Sequence, residues 1–154
     1  TALKNLPDRD NDLARQLEDA YIHSSVLLMG NAGPEAQRST MQRFIDYLKT
    51  KADPSETDLK MALLAGQNLE QLADSKIAIQ AYQDLADILA AKKIDRFDLW
   101  VELLRGNAVR LQSIGKQIDL KATALDGSSF DLVSLRGKHV LLYFWATWDR
   151  VTEV

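Results

Sequence analysis

Residues 55–91 read SETDLKMALLAGQNLEQLADSKIAIQAYQDLADILAA, and their pattern decides the fold. Ser55 with Asp58 three positions on has the form of a capping box, in which each side chain satisfies the other's backbone N–H. It opens a helix expected to run through Leu72. Asp74 or Ser75 caps the next helix, whose Ile77, Ala81, Leu85 and Leu89 recur at four-residue steps along one side. The link between them is short and polar, so the two helices return on each other as an antiparallel hairpin.

Helices extend the pattern on both sides. The first is expected from about Asp10 to Met29, with Leu13, Leu17, Ala20, Tyr21, Leu27 and Leu28 near one face and Gly30 as its stop. Pro34, whose fixed φ suits a first helical position, opens a second with a stripe of Met41, Phe44, Ile45 and Leu48. Ala52-Asp53-Pro54 breaks that helix. A fifth carries Phe97, Trp100, Val101, Leu104 and Leu111 and ends at Ile114-Gly115.

Beyond Gly115 the rhythm changes from helical to alternating. Ile118, Leu120, Ala122 and Ala124 alternate with polar neighbours, and Phe130 and Leu132 resume the alternation after Leu125-Asp126-Gly127. Asp-Gly between alternating runs signals a hairpin, because the turn needs a residue at positive φ. Val133 to Lys138 reads as a short turn. His139 to Ala146 is a continuous apolar run of the kind found in central strands covered on both faces.

Composition bounds the function. The chain has 154 residues, 46% of them hydrophobic and 27% charged, which is globular rather than disordered. Lys and Arg number 19 against 22 Asp and Glu, and the net charge of −3 gives no general attraction to nucleic acid or to anionic lipid. The excess acidity lies in the helical part, spread along solvated faces. There is no cysteine, which excludes disulfides, Cys-containing zinc sites and dithiol chemistry carried by this chain. The longest apolar run, Val140 to Ala146, falls far short of the roughly 20 residues a spanning helix needs. No basic-then-apolar leader opens the sequence at Thr1, so the expectation is a cytosolic protein or one whose leader has been removed.

Other candidate sites are weak. Asp8, Asp10 and Asp12 start like a calcium loop, but Leu13 and Asp19 stand where such a loop needs Gly and Glu. Gly30-Asn31-Ala32-Gly33-Pro34-Glu35 lacks the Lys-Ser/Thr pair of a phosphate loop and reads as a turn between helices. His23 and His139 are isolated, with no shared carboxylate in view, so neither a metal site nor a triad is expected. Tyr143, Trp145 and Trp148 beside Arg136, Lys138 and Arg150 could stack bases, but the neutral balance and core-strand pattern argue against nucleic acid.

Two resemblances follow from these residues. Ala65-Gly66, Leu69, Ala78, Tyr82 and Ala86 resemble the small/large alternation of a tetratricopeptide repeat, in which small residues let two helices approach and an aromatic fills the space between them. Trp100 falls where Gly66 would recur one repeat later, so a repeat-like hairpin and an unrelated bundle both stay open. Either would make a scaffold or a contact surface rather than a catalyst, with a protein partner or client expected.

The second resemblance is carried by Gly115-Lys116, Leu125-Asp126-Gly127, Phe130-Asp131-Leu132, Leu135-Arg136-Gly137-Lys138 and Val140 to Trp148. In that order they resemble the opening of a TlpA/ResA-type redoxin, a branch of the thioredoxin-like superfamily, over about a quarter of the chain. The resemblance implies thiol–disulfide exchange with client proteins, usually in the bacterial cell envelope. The family places Cys-x-x-Cys directly after the second Trp. Here those positions are Asp149 and Thr152, flanked by Trp145 and Trp148, and neither has a sulfur to form a mixed disulfide. No catalytic residue, cofactor or metal is therefore expected. The family's active-site helix, later strands and cis-proline loop do not occur before Val154. The strand at Val140–Ala146 is then expected to pack on the helical part or to self-associate with a second molecule, unless the chain was cut from a longer protein.

The expected fold is thus mainly α. A five-helix antiparallel domain, repeat-like or a bundle, covers residues 1–115. Residues 116–154 supply a β-hairpin and one buried strand of an incomplete thioredoxin-like α/β domain.

Overall fold

The computed structural model describes residues 8–143. The chain divides into two units, Thr1–Ile114 and Gly115–Val154. The first is helical: α1 (Asp8–Met29), α2 (Pro34–Thr50), α3 (Glu56–Leu69), α4 (Ser75–Ala91) and α5 (Asp98–Ser113), the last entered through a single 3-10 turn at Asp95–Phe97. In the second unit β1 (Lys121–Thr123) and β2 (Ser129–Asp131) pair as a hairpin.

The helix ends follow their local chemistry. Pro34 begins α2, where its missing N–H costs nothing. The capping box at α3 is complete: Asp58 N donates to Ser55 Oγ at 3.2 Å, and Ser55 N donates to Asp58 Oδ2 at 2.7 Å. Asp74 caps α4 by accepting from Lys76 N at 3.0 Å. Helix α3 stops at Leu69, three residues before the expected Leu72, and Glu70 to Leu72 continue as a turn.

The helices run antiparallel in succession, and the first four pack on more than their sequence neighbours. Helix α1 contacts α2 and α3, α2 contacts α3 and α4, and α4 contacts α3 and α5. The core between them holds Val26, Phe44, Leu48, Leu69, Tyr82 and Leu104, all essentially inaccessible. At about 1.5–3 kcal/mol for each large apolar side chain, this burial dominates the stability of the helical unit. One close approach sets the α3–α4 spacing: Gly66 on α3 lies directly against the Tyr82 ring on α4. The Tyr82 hydroxyl donates to Glu70 Oε1 at 2.6 Å, and Arg110 on α5 donates to the same oxygen at 2.6 Å, so one carboxylate ties three helical segments.

The buried face of α1 differs from expectation. Ile22, Val26 and Met29 are buried, whereas Leu13, Leu17, Tyr21, Leu27 and Leu28 are exposed by half or more. Ile22, Val26 and Met29 themselves form an i, i+4, i+7 stripe, about 100° round the helix from the stripe through Tyr21 and Leu28. Periodicity finds both stripes but does not say which one meets the neighbouring helices.

In the hairpin Lys121 pairs with Asp131, Ala122 with Phe130 and Thr123 with Ser129. Gly127 takes φ +82°, as an Asp-Gly turn demands, and Asp126 Oδ1 accepts from Ser128 N at 2.9 Å. A 3-10 turn at Leu132–Leu135 follows, and Gly137, also at φ +82°, closes the Val133–Lys138 turn.

The expected buried strand is not formed where the chain is described. Residues 139–143 lie outside any strand, and Val140, Leu141, Leu142 and Tyr143 are 42%, 90%, 40% and 65% exposed. A central strand needs hydrogen-bonded neighbours on both edges and cover on both faces. Among the described residues the only sheet is the pair β1–β2, which provides neither. The remainder of the run, Phe144 to Ala146, lies outside the described residues.

Candidate functional site

Two features of the helical unit combine geometry with chemistry: a buried polar cluster where α1, α2 and α3 meet, and an open groove between α2 and α4.

The cluster centres on Asp58, which is fully buried. Its Oδ1 accepts from His23 Nε2 at 2.7 Å and from the Tyr47 hydroxyl at 2.7 Å. Its Oδ2 accepts from Ser55 N and Oγ, at 2.7 and 2.8 Å, and faces Lys51 Nζ at 3.3 Å. Lys51 Nζ also reaches Asp19 at 2.9 Å, and the Tyr47 oxygen stands 2.8 Å from Asp19 Oδ1. A tyrosine hydroxyl has one proton and here faces two carboxylates; the ammonium of Lys51, in reach of both, offsets their repulsion.

The electrostatics follow from this bonding. Burial alone would raise the Asp58 pKa, but hydrogen bonds from His23, Tyr47 and Ser55 outweigh it and hold the carboxyl down at about 2. Burial, together with the Asp58 and Asp19 carboxylates, pushes the Tyr47 hydroxyl far above its ordinary value. Every Asp58 lone pair has a partner, and among the described residues no nucleophile is hydrogen-bonded to His23. Lys51 fills the space between the carboxylates where a metal ion would sit, and no cluster of three metal-ligating side chains occurs among the described residues. The cluster is a structural lock on three helices.

His23 thus has the carboxylate partner that the sequence did not reveal. The signal lay in two i, i+4 pairs, Asp19/His23 on α1 and Tyr47/Lys51 on α2, each presenting a polar face within a helix that must pack. Asp58 was legible only as a cap.

The groove runs along α2 and α4. Met41, Ile45, Leu69, Ile77 and Ala81 line it, with Arg38, Gln42, Lys76, Gln80 and Asp84 at its margins, and its volume is about 420 Å³. It continues past Gln42, Ile45 and Asp84 into a second hollow of about 380 Å³ reaching Lys49, Asp87, Ile88 and Ala91. Residue numbers rise together along both walls, so α2 and α4 run parallel.

The remaining candidates are dispersed. Asp8 to Asp12 lie within α1, so their backbone is helical and not a calcium loop. Gly30 to Gly33 form the α1–α2 turn, with Asn31 N and Ala32 N donating to Leu28 O and Met29 O. His139 is exposed, as are Arg136, Lys138 and Tyr143. Trp145, Trp148, Asp149, Arg150 and Thr152 lie outside the described residues. No described helix is long and apolar enough to cross a membrane. Comparison with protein-family models, with curated proteins and with solved structures found no match to this chain.

Proposed function

We propose that this chain is a non-catalytic helical interaction module of tetratricopeptide-like build, which holds a protein segment in the α2–α4 groove. One observation carries the reading. The helices pack in an order that sets α1 on α3 and α2 on α4, leaving an apolar-floored groove open along two parallel helices. The close approach of Gly66 and Tyr82 supports the repeat-like build, since it is the small/aromatic pairing such hairpins use. A random peptide library displayed on phage and panned on the full chain tests the proposal. Binders are expected whose capture is lost when Gln80→Trp fills the groove from an exposed position. Binders indifferent to that substitution, or none, would overturn it.

A second reading concerns the C-terminal unit, proposed as the opening of a TlpA/ResA-type redoxin domain that meets client proteins in the bacterial cell envelope. The Asp126-Gly127 hairpin and the turn closed by Gly137 support it, because the sequence motifs that carry the resemblance form a hairpin and a turn here. The missing cysteines leave that unit binding without thiol exchange. The exposed apolar run Val140–Tyr143 supports self-association there, and light scattering on the eluted protein checks it. A monomer at all concentrations would count against it.

A further inference from the structure

The two ends of the α2–α4 groove differ in charge. Arg38 on α2 and Lys76 on α4 both border the groove toward the end where the helices begin, and among the described residues neither meets a carboxylate. The positive ends of the two helix dipoles lie at the same end. Glu35 and Asp74 share those helix starts but do not line the groove. Eight residues further along α4, about 12 Å at the helical rise, Asp84 borders the groove with, among the described residues, only the Gln80 amide as partner, at 2.8 Å. Between these poles the floor is apolar: Met41, Ile45, Ile77 and Ala81. A desolvated apolar floor supplies affinity, whereas unpaired charges at its ends choose partner and direction.

We propose that the groove takes an amphipathic helix bearing a carboxylate side chain at the Arg38/Lys76 end, apolar residues over Met41, Ile45, Ile77 and Ala81, and a Lys or Arg two turns away at Asp84. A helix suits the site because two parallel helices present a long groove between ridges of side chains, the surface into which a third helix packs. Acid and base seven or eight residues apart then fall on one face of the partner and match the 12 Å separation (about two turns). The inference rests on the interaction-module reading and specifies its partner.

The test uses the full chain and the peptides recovered from the displayed library, synthesised with a fluorophore and titrated by anisotropy. The sequences are expected to share an acid, an apolar stripe and a base two turns on. Their affinity should fall at least tenfold against the double variant Arg38→Glu with Lys76→Glu. Exchanging the peptide's acid for lysine should restore most of the loss. Both substituted positions are exposed, and an unchanged far-ultraviolet circular dichroism spectrum establishes that the variant is folded. Peptides displaced by Gln80→Trp but indifferent to the charge reversal would overturn the charge assignment while leaving the module reading intact. Absence of groove-dependent peptides would overturn both.

Discussion

A β-carbon added at Gly66 would stand 2.5 Å from Cζ of Tyr82 and closer still to Cε1. Tyr82 is fully buried and its hydroxyl is held by Glu70, so the ring has no free space into which to retreat. Gly66→Ala is therefore expected to destabilise the protein by about 1–3 kcal/mol, overpacking outweighing alanine's better helix propensity. Gly106, inside α5 with nothing within 4 Å of its added carbon, is the control. There the same substitution should stabilise by about 0.5–1 kcal/mol. Urea unfolding followed by circular dichroism reads both; equal signs would refute the close approach.

The Asp58 cluster makes stability depend on acid. The folded carboxyl sits at about 2 against an ordinary 3.8, so the unfolded chain takes up its proton first as pH falls. The stabilisation is complete above about pH 4 and is lost as the pH drops through about 2; its size is about 2 kcal/mol by linkage. Asp58→Asn should flatten the stability profile between those limits. Asp58→Ala, which takes the carboxylate from His23 and the Ser55 N–H while Lys51 and Tyr47 keep Asp19, should cost about 1–3 kcal/mol near neutral pH. A profile unchanged by Asp58→Asn would show that the carboxylate does not hold the three helices.

The two apolar stripes of α1 can be told apart by truncation. Met29 is 2% exposed and Leu17 62%. Met29→Ala is expected to cost about 2–5 kcal/mol, and Leu17→Ala to stay within about 0.5 kcal/mol of the parent. The reverse order in thermal melts would restore the face that the sequence pattern favoured.

Much of the helical unit was legible because its signals are local. Pro34, the Ser55/Asp58 box, Asp74 and Gly115 mark helix ends through chemistry confined to a single turn. Asp126-Gly127 marks its hairpin in the same way, through the positive φ of one glycine. What failed depends on distant partners. Which stripe of α1 is buried is settled by α2 and α3, and a central strand at Val140 needs neighbouring strands to accept its hydrogen bonds. The His23–Asp58 contact spans 35 positions, and neither residue is unusual for its own helix. The groove belongs to two helices separated by a third, so neither sequence pattern contains it.

Without a thiol the chain has no nucleophile for disulfide exchange. In a thioredoxin-type insulin-reduction assay the expected outcome is turbidity no faster than with heat-inactivated protein. Turnover clearly above that control would mean that another group on this chain carries the chemistry.

Whether the α2–α4 groove is the working surface is read most directly by amide shift mapping of the full chain, titrated with the peptide that display selection recovers. The perturbed amides are expected along Arg38–Lys49 and Lys76–Ala91, saturating with a single affinity and leaving the outer face of α1 and the Lys121–Asp131 hairpin unmoved. Perturbations centred on α1 or on the hairpin would contradict the assignment of the groove as the binding surface.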